Sequence, residues 1–183
     1  MIEMRFHGRG GQGAVTCAEL VAQAAINIGK FATAFPSFGP ERRGAPVVAF
    51  ARMDDKPIRM RSKIYNPDVV VVLDPSLLEI ASPAEGLHKD GILIINSSEN
   101  PETIRKQVSF DGRLAITDAS KIAKEVLGLP ITNTTMVGAL VKAAGVVSIE
   151  ALIEPFNKRF GKIASRNIEA MKRAFEETKV FEK

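Results

Sequence analysis

Six residues, Gly8-Arg9-Gly10-Gly11-Gln12-Gly13, carry the clearest chemical signal in the chain. They match G-x-G-x-x-G, a spacing in which glycines permit a tight turn and let backbone N–H groups approach a phosphate closely. Arg9 would add a cation to such a site. A carboxylate able to hold a ribose hydroxyl is expected about 20 residues further on. None occurs from Phe31 to Phe38, and the next one, Glu41, sits in a turn beside Arg42 and Arg43. A Walker A loop is excluded, because no Lys-Ser/Thr follows Gly13. Three readings stay open: a tight strand-to-helix turn, a seat for an anion or cofactor tail, and a dinucleotide site.

Other reactive side chains are scarce. His7 and His88 are the only histidines, and neither belongs to a metal-binding or zinc-protease pattern. His7, at the end of the first apolar segment and beside the glycines, reads as structural or as facing a ligand. Cys17 falls on the apolar side of the helix that follows, which marks it as a core residue. One cysteine cannot form an internal disulfide, hold an iron–sulfur cluster or complete a four-ligand zinc site. No Gly-x-Ser-x-Gly elbow is present, and Tyr65 is the only tyrosine in a chain without tryptophan. Basic residues without interleaved aromatics argue against nucleic acid.

The charge is local. The chain of 183 residues has a formal net charge of +4. Residues 41–63 hold Arg42, Arg43, Arg52, Lys56, Arg59, Arg61 and Lys63 against Glu41, Asp54 and Asp55, and the remainder balances. Such a segment suits an anionic ligand, an acidic partner surface or a solvated hairpin whose cations guard an edge. No apolar run reaches the roughly 18 residues of a membrane span. The N-terminus MIEMRFHGRGG lacks the build of a signal peptide. A cytoplasmic protein is expected.

The elements that must position the glycines follow from periodicity. Ile2, Met4 and Phe6 alternate, predicting a strand over 2–7. Residues 14–28 predict a helix whose polar positions form one narrow line, Thr16, Glu19, Gln23 and Asn27. A helix apolar over so much of its girth is expected to meet the sheet on one side and a partner on another. Strands are predicted over 31–35 and then as a hairpin, 47–52 with 57–61 around Met53-Asp54-Asp55-Lys56. The continuous apolar runs 69–73 and 92–95 predict strands covered on both faces. A strand near 113–117 leads into a helix from Asp118 to Gly128. Helices follow near 133–144, from Ser148 with a kink at Pro155, and with Ala164, Ile168, Met171 and Phe175 on one stripe. The fold class is a single three-layer α/β domain over 1–183. It has a mostly parallel sheet, a Rossmann-like glycine loop after the first strand and an inserted β-hairpin.

GRGGQG followed by SFGPERRGAP, with NPDVVVVLDPS and the NTTMVGAL helix, resembles the gamma subunits of the 2-oxoacid:ferredoxin oxidoreductases. Within that family the pyruvate:ferredoxin oxidoreductase (pyruvate synthase) group is the most similar, and the resemblance spans essentially the whole chain. Ala45 departs from a second glycine often seen in that turn. The resemblance implies a heterotetrameric enzyme with alpha, beta and delta subunits. It decarboxylates a 2-oxoacid oxidatively, transfers the acyl group to coenzyme A and reduces ferredoxin. Thiamine diphosphate, magnesium and iron–sulfur clusters are the cofactors so implied. They would belong to the partners, since this chain has one cysteine and no Gly-Asp-Gly followed by Asn-Asn. Its own role is then that of a structural clamp, or of a coenzyme A contact through Gly8, Arg9, Gly10, Gly11, Gln12, Gly13, Arg42 and Arg43. The competing class is a stand-alone Rossmann-like nucleotide-binding module.

Overall fold

Strand β1 (Ile2–Arg9) sends Met4 and Phe6 to one face of a sheet, where both are fully buried. The computed structural model describes residues 1–37 and 44–183. After β1 the chain turns through the glycines into helix α1 (Ala14–Asn27), which Gly29 ends at φ +83°. Strands β2 (Phe31–Ser37) and β3 (Pro46–Asp54) pair antiparallel, and β3 also pairs antiparallel with β1. Then come β4 (Val69–Val72), the short helix α2 (Leu77–Ile80), β5 (Ile92–Asn96), α3 (Pro101–Val108) and β6 (Arg113–Thr117). Helices α4 (Ala119–Leu127), α5 (Asn133–Ala144), α6 (Ile149–Phe160) and α7 (Ala164–Glu177) precede the edge strand β7 (Lys179–Phe181).

The sheet order is β2-β3-β1-β4-β5-β6-β7. Strands β1, β4, β5 and β6 run parallel, while β2, β3 and β7 are attached antiparallel. The sheet is therefore mixed, with a parallel centre, and not mostly parallel. All residues of β4 and β5 are buried, as continuous apolar patterning requires when helices cover both faces. On one face α1 and α5 rest on Met4, Phe6, Ala51, Val71 and Ile94, with α6 outside them. On the other, Leu77, Leu78 and Ile104 close over Val70, Val72, Leu93 and Ile95.

The hairpin and the surroundings of α1 differ from expectation. Residues 57–61 form no strand. The Asp54 carboxylate accepts the Asp55 and Lys56 amides, and Pro57 has no N–H to give a ladder. Both edges of β3 are also already taken, so the hairpin is β2 with β3. Most of the broad apolar surface of α1 is covered within the chain, by the sheet, α5 and α6, while Ile26 and Ile28 at its end stay exposed. Helix α3 is an unexpected element, although its start is marked in sequence: Asn100 accepts the Thr103 amide at 2.9 Å and Pro101 occupies the first turn.

Candidate functional site

The glycine loop closes the C-terminal end of β1, the edge of a parallel sheet where ligands gather in α/β folds. There β1 and β3 still face each other, Gly8 opposite Val47 and Arg9 opposite Pro46. Gly10 N donates to Ala45 O at 2.9 Å, and Arg9 Nη1 donates to Gly44 O at 3.0 Å. The two sequence motifs thus meet in space, the first one gripping the end of the second. Glu41, Arg42 and Arg43 lie outside the described residues.

The loop is tied from inside. Gln12 N donates to Arg9 O at 2.9 Å, and Arg9 N donates back to Gln12 Oε1 at 2.7 Å. Gln12 Nε2 donates to Asp74 Oδ2 at 2.7 Å, one strand over, beyond the end of β4. Arg9 Nε lies 3.3 Å from the same oxygen and its Nη2 donates to Ser76 Oγ at 2.7 Å. Burial works to raise the Asp74 carboxyl. Hydrogen bonds from Ser76 and Gln12, with Arg9 nearby, outweigh it and hold the group below the usual carboxylate range. Arg9 is therefore matched by an ionised partner. Asp74 and Ser76 were not assigned from sequence; the Asp-Pro-Ser after a continuous apolar strand was their only signal.

The loop's outer rim keeps an anion-facing character. Gly13 caps α1 in the left-handed region at φ +82°, with no side-chain cap and no acidic residue in the first turn. The positive end of the helix dipole and its unspent amides face outward there. Gly13 also has a packing duty, since a Cβ there would lie 3.1 Å from Asn133 Cβ. Asn133 begins α5 and accepts the Cys17 thiol on its carbonyl at 3.3 Å. Thr134 Oγ1 donates to Asn167 Oδ1 at 3.0 Å, and Asn167 Nδ2 donates to Ile163 O at 2.9 Å. The NTTM stretch is thus a buried brace beneath the loop. Cys17 is fully buried, and burial pushes its thiol up, away from reactivity.

A dinucleotide would meet the wrong topology. Its ribose partner belongs on the strand next to β1 after the first helix. Here β3 stands between β1 and β2, so the end of β2 is two strands away. Of the histidines, His88 is exposed, and His7 is 5% exposed on the face opposite Met4 and Phe6. Burial first, and Arg5 second, lower the His7 pKa to about 3, so the ring is neutral. Among the described residues no group of three or more His, Cys, Asp or Glu side chains converges as a metal site. No helix among them is long and apolar enough to cross a membrane.

The family described as pyruvate ferredoxin/flavodoxin oxidoreductase matches residues 3–177. The chain is 53% identical over 184 residues to the pyruvate/ketoisovalerate oxidoreductases common subunit gamma of Pyrococcus abyssi, covering 100% of both chains. It is 50% identical over 178 residues to pyruvate synthase subunit PorC of Methanothermobacter thermautotrophicus, covering 97% of this chain and 96% of that one. Among solved structures it superposes on the pyruvate oxidoreductase subunit PORC of Thermotoga maritima with a TM-score of 0.89 at 40% identity. That match covers 99% of this chain and 98% of the other.

Proposed function

The chain belongs to the pyruvate ferredoxin/flavodoxin oxidoreductase family as a gamma subunit, and from that premise we propose how it serves its enzyme. It is one part of a multisubunit oxidoreductase and is not catalytic alone; its single cysteine cannot hold an iron–sulfur cluster. Partner alpha, beta and delta subunits carry thiamine diphosphate, magnesium and the clusters, and pass electrons to ferredoxin. The reaction is the oxidative decarboxylation of pyruvate with acyl transfer to coenzyme A. The Pyrococcus relative's name gives one gamma subunit to two oxidoreductases. That supports a gamma chain which leaves the choice of 2-oxoacid to its partners.

The whole chain, 1–183, acts as a structural clamp with one ligand-facing edge. There coenzyme A phosphates meet the amides around Gly11 and Gly13 and the guanidinium groups of Arg42 and Arg43. Gly8, Gly10 and Gln12 shape that edge, and Arg9, already matched by Asp74, steadies it. The observation that supports this reading is the hydrogen bond from Gly10 to Ala45, which ties the glycine loop to the end of the SFGPERRGAP segment. The two arginines of that segment, acting with helix amides, suit a polyphosphate tail.

The test is Arg42→Ala with Arg43→Ala in the assembled complex. The apparent KM for coenzyme A should rise about tenfold, equivalent to ~1.4 kcal/mol, with the pyruvate KM unchanged. An unaltered coenzyme A dependence in a complete complex would refute the contact.

A further inference from the structure

Helices cover only part of one sheet face. Beyond β4, β5 and β6, where α2 and α3 pack, the face continues over β1, β3 and β2. The helix packed on β2 and β3 is α1, and it lies on the opposite side. Phe35, Phe50 and Val48 share this half-face with polar groups that are incompletely paired. Arg52, 2% exposed, bonds Glu3 at 2.6 Å and lies over the Phe35 ring at 5.5 Å. Arg5 donates to the carbonyls of Tyr65, Pro83 and Glu85. Yet Arg5 Nε, His7 Nε2, Thr33 Oγ1 and Arg52 Nη1 are buried without a partner among the described residues. Native interiors rarely leave such atoms unpaired, and all four lie on this one face, beneath its covering strap. A cleft of about 220 Å³ opens over His7, lined by Arg5, Phe50, Lys63, Ile64 and Tyr65.

The rim of this face is cationic. Residues 55–66 run across it without helix or strand, and Lys56, Arg59, Arg61 and Lys63 are exposed along that strap. The two acids at its start are engaged elsewhere, Asp54 by the N-terminal ammonium at 3.3 Å and Asp55 by Lys30 at 3.5 Å. Apolar groups are exposed among the cations, Met60 at 46%, Tyr65 at 71% and, on β2, Phe31 at 46%. Apolar anchors within a ring of charge are the make-up of a protein interface.

We propose that the β2-β3-β1 half-face and its strap, residues 55–66, form the docking surface for an acidic face of another subunit of the oxidoreductase. This rests on the multisubunit reading above. Four cations without acidic partners among the described residues steer and orient a carboxylate-rich surface. A second copy of this chain is disfavoured, because the same cations would face each other. Tyr65 and Met60, exposed among the cations, anchor the docked subunit.

Carbodiimide, which joins amines directly to touching carboxylates, tests this on the native complex. Cross-links from Lys56 or Lys63 to Asp or Glu of a different subunit are expected. Their absence while other lysines cross-link would overturn the proposal, as would links only between two copies of this chain. The set Lys56→Glu, Arg59→Glu, Arg61→Glu and Lys63→Glu should lower recovery of the complex at least tenfold. A control set on the helical side, Lys158→Glu, Lys162→Glu, Arg166→Glu and Lys172→Glu, should not. Equal recovery of both sets, or equal loss, would overturn it. A wild-type chain that never travels with cluster-bearing subunits would instead refute the multisubunit reading itself.

Discussion

His7 shows how a single side chain can be read from physics more securely than from its neighbours in sequence. Beside a glycine loop it reads as structural or as facing a ligand; in the fold it lies on the face opposite Met4 and Phe6, neutral and enclosed. Its pKa of about 3 lies below the unfolded value near 6.5. The unfolded chain therefore binds a proton in that window when the folded chain does not. Stability from this residue is complete above about pH 6.5, declines as the pH falls, and levels off below the folded value. Between pH 6.5 and 5 the loss is about 2 kcal/mol. Denaturant unfolding of the full chain at the two pH values should show that loss reduced in His7→Gln. Parallel losses in both proteins would mean His7 is not buried neutral. Arg9 teaches the same lesson in reverse. Its charge seemed available for a phosphate until Asp74, 62 residues beyond Gln12, proved to hold both.

At the level of elements, legibility followed how local the cause was. The helix from Asp118 to Gly128 was readable because its cap and stop are written in adjacent residues: Asp118 accepts the Lys121 amide and Gly128 sits at φ +76°. β4 and β5 were readable because burial on both faces needs uninterrupted apolar runs. The hairpin was misread because its outcome depends on edges, which are a property of the assembled sheet. Val47 to Arg52 could pair with either neighbour in sequence, and β1 and β2 together leave 57–61 no place. The NTTMVGAL motif was recognised but not explained until α5 met α7. Gly138 is there because a Cβ would run into the Met171 carbonyl oxygen. Gly138→Ala must push α7 away, with Met171 and Ala174 in the gap. A loss of about 2 kcal/mol or more in unfolding free energy is expected, within the range of overpacked cores. A variant as stable as wild type would show that the two helices do not cross so closely.

For the molecule as a whole, the opening motifs acquire a division of labour. The glycine loop, the brace at the start of α5 and the Asp74 carboxylate fix the C-terminal edge of the sheet. The unpartnered polar half-face and its cationic strap lie on the side that helices leave open. On the proposals above, such a subunit offers one edge to a ligand and one face to a neighbour. The ligand edge was half legible, since GRGGQG and SFGPERRGAP were visible as a pair but their contact was not. The docking face was present only as a charge imbalance over residues 41–63.

The central claim is that this chain works as the gamma subunit of a larger oxidoreductase whose redox centres lie on other chains. Purification of the tagged chain from its native source, under gentle conditions and without oxygen, tests it most directly. The chain should elute with larger, brown, iron-bearing subunits, in fractions that oxidise pyruvate and reduce ferredoxin only when coenzyme A is supplied. A colourless chain eluting alone, while full activity travels in fractions that lack it, would contradict the account.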